Sequence, residues 1–590
     1  MNGQPLSGRA VVLGLALVTA ASLGFASRFL HDPLMADEIY LVIAADHIRH
    51  SGRPLTRTKM DATSFASVDP ESGPMAGARE TGYALWHPPL YLHLVALVFA
   101  LVGSGAAQAR LFGLGCLVAT ILAMYLLSQA VFRDRADRRA IGLLAAFLFA
   151  VNPLAIQGAL VVDIDNTLLT PALLLALLAA VRSLDTGPSR DLALGALVAV
   201  LLWIKLTTPP VLLLALGIFR AAREGIAAAL RRTGVVAVVG VAGFLVTWMA
   251  YTDAQGLPSS APFQHLVGSL VGAGPRGTLP TVLREAALAL ARVALWVSPF
   301  LLLLWALGLG RRALQFASAR TLEPEDLLHL TAALVLVAYL VVGRTTFGFP
   351  RYDYPVLPLL AILAAASILD AWRTAAPRYW RGLLATLVGA VLIWLAGDPL
   401  LSTYSMVRER LVAGLALGDV IGRVFLQVVV LLLTPLVIAS LGGGGGRRLA
   451  RAAVLPLAVA TVSYSLALDA IQARADYLVR YGYGGVGTRE VLAFLGREVA
   501  PETLILAPAE LIHGVGNHAS PFPANAVWTS ESALVGALSS APLRAFVYGL
   551  PTNTVEQVRF IETDPRVVRV LDEGFRRLII GSYTVWVRRP

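Results

Sequence analysis

The sequence predicts a mainly α-helical, polytopic membrane bundle of about thirteen spans. Interfacial helices are expected in its first outer loop, and a small α/β domain at the C-terminal end, outside the membrane. Three observations carry this reading. Of 590 residues, 57% are hydrophobic and 14% charged, against about 25% charged in a soluble domain. Basic residues gather in short loops between apolar stretches. After about Ala470 the long apolar stretches give way to short runs that alternate with helical ones.

The basic loops set the expected topology. They are Arg133–Arg139 (RDRADRR), Arg220–Arg232, Arg311–Arg320, Trp372–Arg381 and Arg447–Arg451. Positive residues stay on the cytoplasmic side. Placing them there yields spans near 11–30, 110–131, 140–154, 167–182, 191–206, 208–220, 233–251, 286–309, 328–343, 355–371, 382–397, 417–441 and 452–470. The N-terminus is then inside and the C-terminus outside. The first span reads as retained rather than cleaved, because its n-region is weak and no clear cleavage site follows. Pro88–Val102 is apolar but has no basic loop after it. It is read as a helix lying on or dipping into the outer face.

On this topology the first outer loop, residues 31–87, is too long for a passive connector. Its AADHIRH stretch could form an amphipathic interfacial helix. Thr252–Glu285 is rich in Gly, Pro and Ser and is read as a mobile outer loop. The expected domains are 1–470, membrane-embedded, and 471–590, an extracytoplasmic α/β unit. In the latter, helices at Thr488–Glu498 and Val555–Glu562 alternate with strand-like runs at Thr503–Ala507, Arg544–Tyr548, Arg577–Ile580 and Thr584–Val587.

The formal charge of +11 does not call for nucleic acid, because the basic residues sit where topology needs them. Membrane lipids are the implied surroundings. The single cysteine, Cys116, cannot form an intrachain disulfide and says nothing of compartment.

Several polar residues stand out against the apolar background. Asp37-Glu38 is an acidic pair just beyond the first span. It could accept a proton from an attacking hydroxyl, or cap a helix N-terminus. Asp163 and Asp165 lie in VVDIDNTLL. On a helix this spacing would put them on different faces, so one would point into a shared site. Asp165 could also cap the span that follows. Lys205, in LLWIKLTTPP, is one of two lysines among 48 basic residues. An ionisable residue within a span suggests function. Lys205 could meet a lipid phosphate or snorkel to the headgroups. Arg344 and Arg351-Tyr352 occur in RTTFGFPRYDYPVLP. On the expected outer face, two arginines suit a bidentate grip on a phosphate, and Asp353 is an alternative internal ion-pair partner. His87 opens HPPLYLHL, where the prolines start a helix. His265, His513 and His518 show no recognisable metal set.

Taken together, HDPLMADEIYLVIAADHIRHSGRP at His31–Pro54, HPPLYLHL at His87–Leu94 and DNTLL at Asp165–Leu169 resemble the polyprenyl-phosphate-sugar-dependent glycosyltransferases of the membrane-embedded C superfamily. The protein O-mannosyltransferases and the lipid A aminoarabinose transferase belong there. The resemblance spans roughly the first 375 residues. It implies that Asp37 and Glu38 form the catalytic acidic motif of the first outer loop. It implies that Asp165, twelve residues after Pro153, is the second acid. His87 matches the His- or Lys-Pro-Pro-Leu signature, and Arg351-Tyr352 matches Arg-Tyr-x-x-Pro. Lys205 falls near a family Thr-Lys pair, but here it precedes Thr207-Thr208. Trp86 replaces an acid found in some members, which puts a metal ligand there in doubt.

The implied function is transfer of a sugar, with inversion, from a polyprenyl-phosphate carrier to an acceptor on the outer face of a bacterial inner membrane. Asp37, Glu38 and Asp165 are the catalytic candidates. His87, Lys205, Arg344, Arg351 and Tyr352 are the donor-binding candidates. The acceptor, a lipid, glycan or protein, is open, as is a divalent metal cofactor. The alternatives are a flippase or a polysaccharide ligase handling lipid-linked sugars. Neither paired repeats nor matching broken helices, the usual signs of a transporter, are visible in the sequence.

Overall fold

The computed structural model describes residues 6–32, 34, 37–55, 83–184, 188–272, 279–319, 321–340, 350–374, 446–474, 487–499, 504–507, 511, 519–521, 530–539, 543–549 and 555–589. The chain divides into two compact units. One gathers 1–29, 110–260 and 266–471, and the other 30–109, 261–265 and 472–590.

The first unit is a bundle of apolar helices. Six helices among the described residues are long and apolar enough to cross a membrane: Gly8–Phe29, Ala106–Val131, Asp165–Ser183, Ile226–Gln255, Pro299–Ser318 and Arg351–Arg373. A bent pair, Arg138–Ala150 and Pro153–Leu160, makes a seventh if read as one span. The protein is an integral membrane protein. Pro188–Ile204 and Thr208–Glu224, expected spans, are helices of 17 residues each, about 25 Å at 1.5 Å per residue. The expected spans at 382–397 and 417–441 lie outside the described residues.

Two expected spans are not straight helices. Residues 140–154 bend by 65° between Ala150 and Pro153. Pro153 has no amide to offer, and Asn152 caps the second piece by accepting from the Leu154 amide at 2.9 Å. Residues 286–309 break at Ser298, between Leu279–Val297 and Pro299–Ala319. Ser298 has φ +90°, the sole positive φ outside glycine among the described residues. The two breaks meet, because Asn152 donates through Nδ2 to the Val297 carbonyl at 2.8 Å. This satisfies a carbonyl that the break leaves open.

Small residues let the helices approach. A methyl group on Gly195 would sit 2.7 Å from Val239, and one on Gly240 would sit 2.6 Å from Val198. Helices Pro188–Ile204 and Ile226–Gln255 therefore pack backbone to backbone, as membrane helices commonly do. At one end, arginines from the basic loops enter ion pairs. Arg135 bridges Asp137 at 3.0 Å and Asp370 at 2.7 Å, and Arg373 reaches Asp137 at 3.0 Å. Arg220 and Arg232 share Asp191.

The second unit holds the small C-terminal sheet. Its strands are β1 (Leu504–Ala507), β2 (Ala519–Pro521), β3 (Leu543–Gly549), β4 (Phe575–Ile580) and β5 (Tyr583–Arg588), in the order β2-β1-β3-β5-β4. β1 is parallel to β2 and β3, while β5 runs antiparallel to β3 and β4. The alternation of short apolar runs and helices after Ala470 thus reads out as a sheet with apolar clusters on both faces. Leu506, Phe546, Leu571 and Trp586 share one, and Val491, Ile505, Val547 and Val585 the other. β2 and the helices Glu531–Leu538 and Pro565–Gly574 were not expected from the sequence.

The same unit contains helices Asp37–Ser51 and Leu90–Val102. The first includes the AADHIRH stretch. The second is 13 residues long, about 20 Å, shorter than a hydrocarbon core of about 30 Å. Arg489 of the C-terminal part pairs with Asp32, 2.6 Å away. The loop read as Thr252–Glu285 is largely helical where described: Ile226–Gln255 runs into it, and Ala261–Gly272 and Leu279–Val297 follow. Gly256 and Pro258 mark the described break, between Ile226–Gln255 and Ala261–Gly272.

Candidate active site

The bundle gathers acids and bases where three helices are interrupted. After Pro153–Leu160 the chain leaves the helix at Val161, whose backbone is extended. It then makes a wide turn at Asp165–Leu169, in which the Leu169 amide reaches back five residues to the Ile164 carbonyl at 3.0 Å. Such wide turns often occur at functional sites. Polar side chains hold it together. Asn166 donates to the Val161 carbonyl at 2.8 Å, and also to that of Gly158. Thr170 donates to the Asp165 carbonyl at 2.7 Å, and Thr167 to that of Asp163.

Asp163 and Asp165 therefore do not share a helix, and the expectation of opposite helical faces does not apply. Asp163 accepts from the Asp165 amide at 3.2 Å. Asp165 therefore donates a bond from its amide rather than capping the helix that follows. The Asp165 carboxylate is free to turn elsewhere.

It turns to Lys205. This residue ends the helix Pro188–Ile204, just before Thr207-Thr208 and the prolines that start the next helix. Its ammonium donates to both oxygens of Asp165, at 2.5 and 2.7 Å. Both side chains are 3% exposed. The ammonium also lies over the Tyr352 ring at 4.5 Å and the Tyr339 ring at 5.3 Å. These two rings stack at 5.4 Å. The Tyr339 hydroxyl is 3.2 Å from Thr207 and 3.3 Å from Thr208. Aromatic faces attract a cation most strongly where water is excluded.

Arg351 donates to Asp163 at 2.6 Å and to the Tyr352 hydroxyl at 3.2 Å. Its guanidinium lies 5.0 Å from the Tyr352 ring centre. Asp353 is not its partner. That carboxylate faces Arg292 at 3.7 Å, with both side chains nearly buried. Tyr354, in the same short turn, donates to the Ala155 carbonyl at 3.0 Å and packs against Gly158, where a side chain would collide with its ring. The turn Arg351–Val356 is thereby fixed to the segment that carries the two aspartates.

Of the candidates named from the sequence, the bundle brings together Asp165, Lys205, Arg351 and Tyr352. Asp163, Tyr339 and Arg292 join them. Asp37, Glu38 and His87 belong to the other unit. Asp37 opens the helix Asp37–Ser51, Glu38 is buried, and the His87 ring meets that of His265 edge to face at 6.0 Å. Arg344 lies outside the described residues. Among the described residues, no three of His, Cys, Asp and Glu come together as a metal-ligand set. Asp165 and Asp163 are each held by a cation, Lys205 and Arg351.

Residues 86–251 match a family model described as dolichyl-phosphate-mannose-protein mannosyltransferase. The solved ArnT from Cupriavidus metallidurans bound to undecaprenyl phosphate is similar over 98% of both chains, with a TM-score of 0.55 at 16% identity. The chain shares the fold of ArnT. The apo state of ArnT gives a TM-score of 0.52 at the same identity, covering 98% of this chain and 97% of that one. The oligosaccharyltransferase AglB from Archaeoglobus fulgidus, in complex with an inhibitory peptide and a dolichol-phosphate, gives 0.50 at 14% identity. That match covers 98% of this chain and 74% of AglB. No curated protein sequence matches. The stretch matched by the family model includes His87, Asp163, Asp165 and Lys205, while Arg351 and Tyr352 lie beyond it.

Proposed function

We propose that the protein transfers a sugar from a polyprenyl-phosphate carrier to an acceptor at the outer face of the membrane. One observation carries the reading. Arg351, resting on Tyr352, forms a partly exposed cationic fork beside a buried Lys205–Asp165 pair. The fold that holds it is shared with a protein solved with undecaprenyl phosphate bound.

The chemistry follows from charge. The acceptor hydroxyl attacks the anomeric carbon, its new C–O bond forms, and the bond from that carbon to the phosphate oxygen breaks. The carrier leaves as polyprenyl phosphate and the anomeric centre inverts. The leaving phosphate needs cations more than a general acid. Arg351 and the Tyr352 hydroxyl supply that grip. Lys205 is committed to Asp165, so its part is to fix the wide turn and the two stacked tyrosines. The acceptor's proton goes to Asp37, with Glu38 beside it in sequence. His87 and Arg344 are assigned to the donor, on the strength of the family motifs alone.

The setting we infer is a bacterial inner membrane, with about thirteen spans and an extracytoplasmic C-terminal domain at 471–590. The acceptor is a lipid, a glycan or a protein. Mass spectrometry of envelope lipids, glycans and proteins from a strain lacking the gene tests the reading. Loss of one sugar modification is expected, with restoration by the wild-type gene. An unchanged envelope under expressing conditions argues against it.

A further inference from the structure

Among the described residues, each acid of the cluster is faced by a base. Asp163, Asp165 and Asp353 face Arg351, Lys205 and Arg292 at 2.6, 2.5 and 3.7 Å. An incoming phosphate therefore needs a cation that can leave its carboxylate. Lys205 is poorly placed for this. Its departure would strand the Asp165 carboxylate in a buried site, at high cost. The Arg292–Asp353 pair is buried as deeply. Arg351 differs, with its side chain 25% exposed. Asp163 also keeps a second partner, the Asp165 amide, which remains when Arg351 leaves.

We propose that Asp163 is a stand-in for the donor's phosphate. It occupies the guanidinium of Arg351 until the phosphate displaces it. Carboxylate and phosphate are the two anions that this planar fork grips in the same way. While the site waits, Asp163 holds Arg351 against the Tyr352 ring, so the fork is preset for the anion that replaces it. Asp163 is thus a positioning residue and a competitor, and the proposal rests on the carrier-phosphate reading above.

Its consequence runs against the usual effect of removing a site residue. Asp163→Asn keeps an oxygen to accept from the Asp165 amide but abandons the charge. Undecaprenyl phosphate should then bind more tightly. A partly exposed ion pair is worth on the order of 1 kcal/mol, so the gain should be roughly three- to tenfold. Asp163→Ser retains a shorter acceptor and should show a gain of the same sign. The gain should vanish when Asp163→Asn is combined with Arg351→Ala and compared with Arg351→Ala alone.

The test is a titration of the purified full-length protein with undecaprenyl phosphate, read by native mass spectrometry. Tighter binding by both Asp163 variants, dependent on Arg351, is the expected result. Equal or weaker binding by both, with wild-type binding intact, overturns the stand-in role and leaves the carrier reading untouched. A gain that survives Arg351→Ala also overturns it. Failure of the wild type to bind the lipid contradicts the carrier reading itself.

Discussion

Lys205 and Asp165 form a two-point ion pair, at 2.5 and 2.7 Å, and both side chains are 3% exposed. They are 40 residues apart in sequence. Lys205 sits at a break between helices, and Asp165 opens a wide turn. Their pairing ties two interruptions of the bundle into one site. A buried pair of this kind is weak evidence for net stability, but it is costly to break from one side.

Lys205→Met leaves the Asp165 carboxylate buried without its cation. The loss expected is about 3–5 kcal/mol, read as a lower thermal midpoint in detergent. Replacing both, as Lys205→Met with Asp165→Asn, should recover much of the stability, because no unpaired charge remains. It should not recover sugar transfer. If Lys205→Met unfolds at the wild-type midpoint, the pair does not hold the turn.

The inferred topology places RDRADRR on the cytoplasmic side and the C-terminal sheet outside. In a Cys116→Ser background, a cysteine at Ala136 should resist a membrane-impermeant thiol reagent in intact cells. One at Ser520 should react. Labelling at Ala136 with protection at Ser520 would show that Leu90–Val102 crosses the membrane with its neighbours, and that the orientation after it is reversed.

The loop ion pairs have a pH signature. Burial works against ionisation of Asp137. The hydrogen bond from Arg135 and the charges of Arg135 and Arg373 outweigh it and hold the pKa below the ordinary carboxylate value. A depressed carboxylate contributes stability above its unfolded pKa, about 3.9. That contribution fades as pH falls through the folded value. Thermal unfolding of wild type and Asp137→Asn should therefore differ at pH 7, and the difference should shrink below about pH 4. A difference that stays constant down to pH 3 would remove Asp137 from the acid response.

Much of this was legible in the sequence, and the failures have physical causes. Lys205 stood out because a lysine inside an apolar stretch needs a partner. The sequence could not name Asp165 as that partner, since their meeting depends on the packing of separate helices. Asp165 is preferred over Asp163 by its place in the family motif, twelve residues after Pro153, and the separate-faces expectation rests on a helical period. The segment between Leu160 and Asp165 is not helical, and Asp163 accepts the Asp165 amide while the Asp165 carboxylate faces the lysine. Tyr339 gave no signal, since an aromatic residue at the end of an apolar span is ordinary. Asn-Pro at a helix start offers Asn152 as a cap. Its bond to the Val297 carbonyl carries no such local signal. Ser298 carries a positive φ that no serine advertises. The C-terminal strands were readable because alternation of short apolar runs with helices is a local signal. The helix Ala261–Gly272 and the start of Leu279–Val297 were hidden by the glycines and prolines around them.

The most direct test of the account is sugar transfer by the purified protein. Reconstituted with a polyprenyl-phosphate-linked sugar pool and an envelope acceptor extract, the wild type should release free polyprenyl phosphate and label the acceptor. Asp37→Asn should bind the carrier nearly as well, yet lose transfer by ~10²-fold or more, since a general base acts in the transition state. Transfer by Asp37→Asn within a few-fold of wild type would contradict the base assignment. No carrier turnover by the wild type, with any polyprenyl-phosphate sugar in the pool, would contradict the glycosyltransferase reading as a whole.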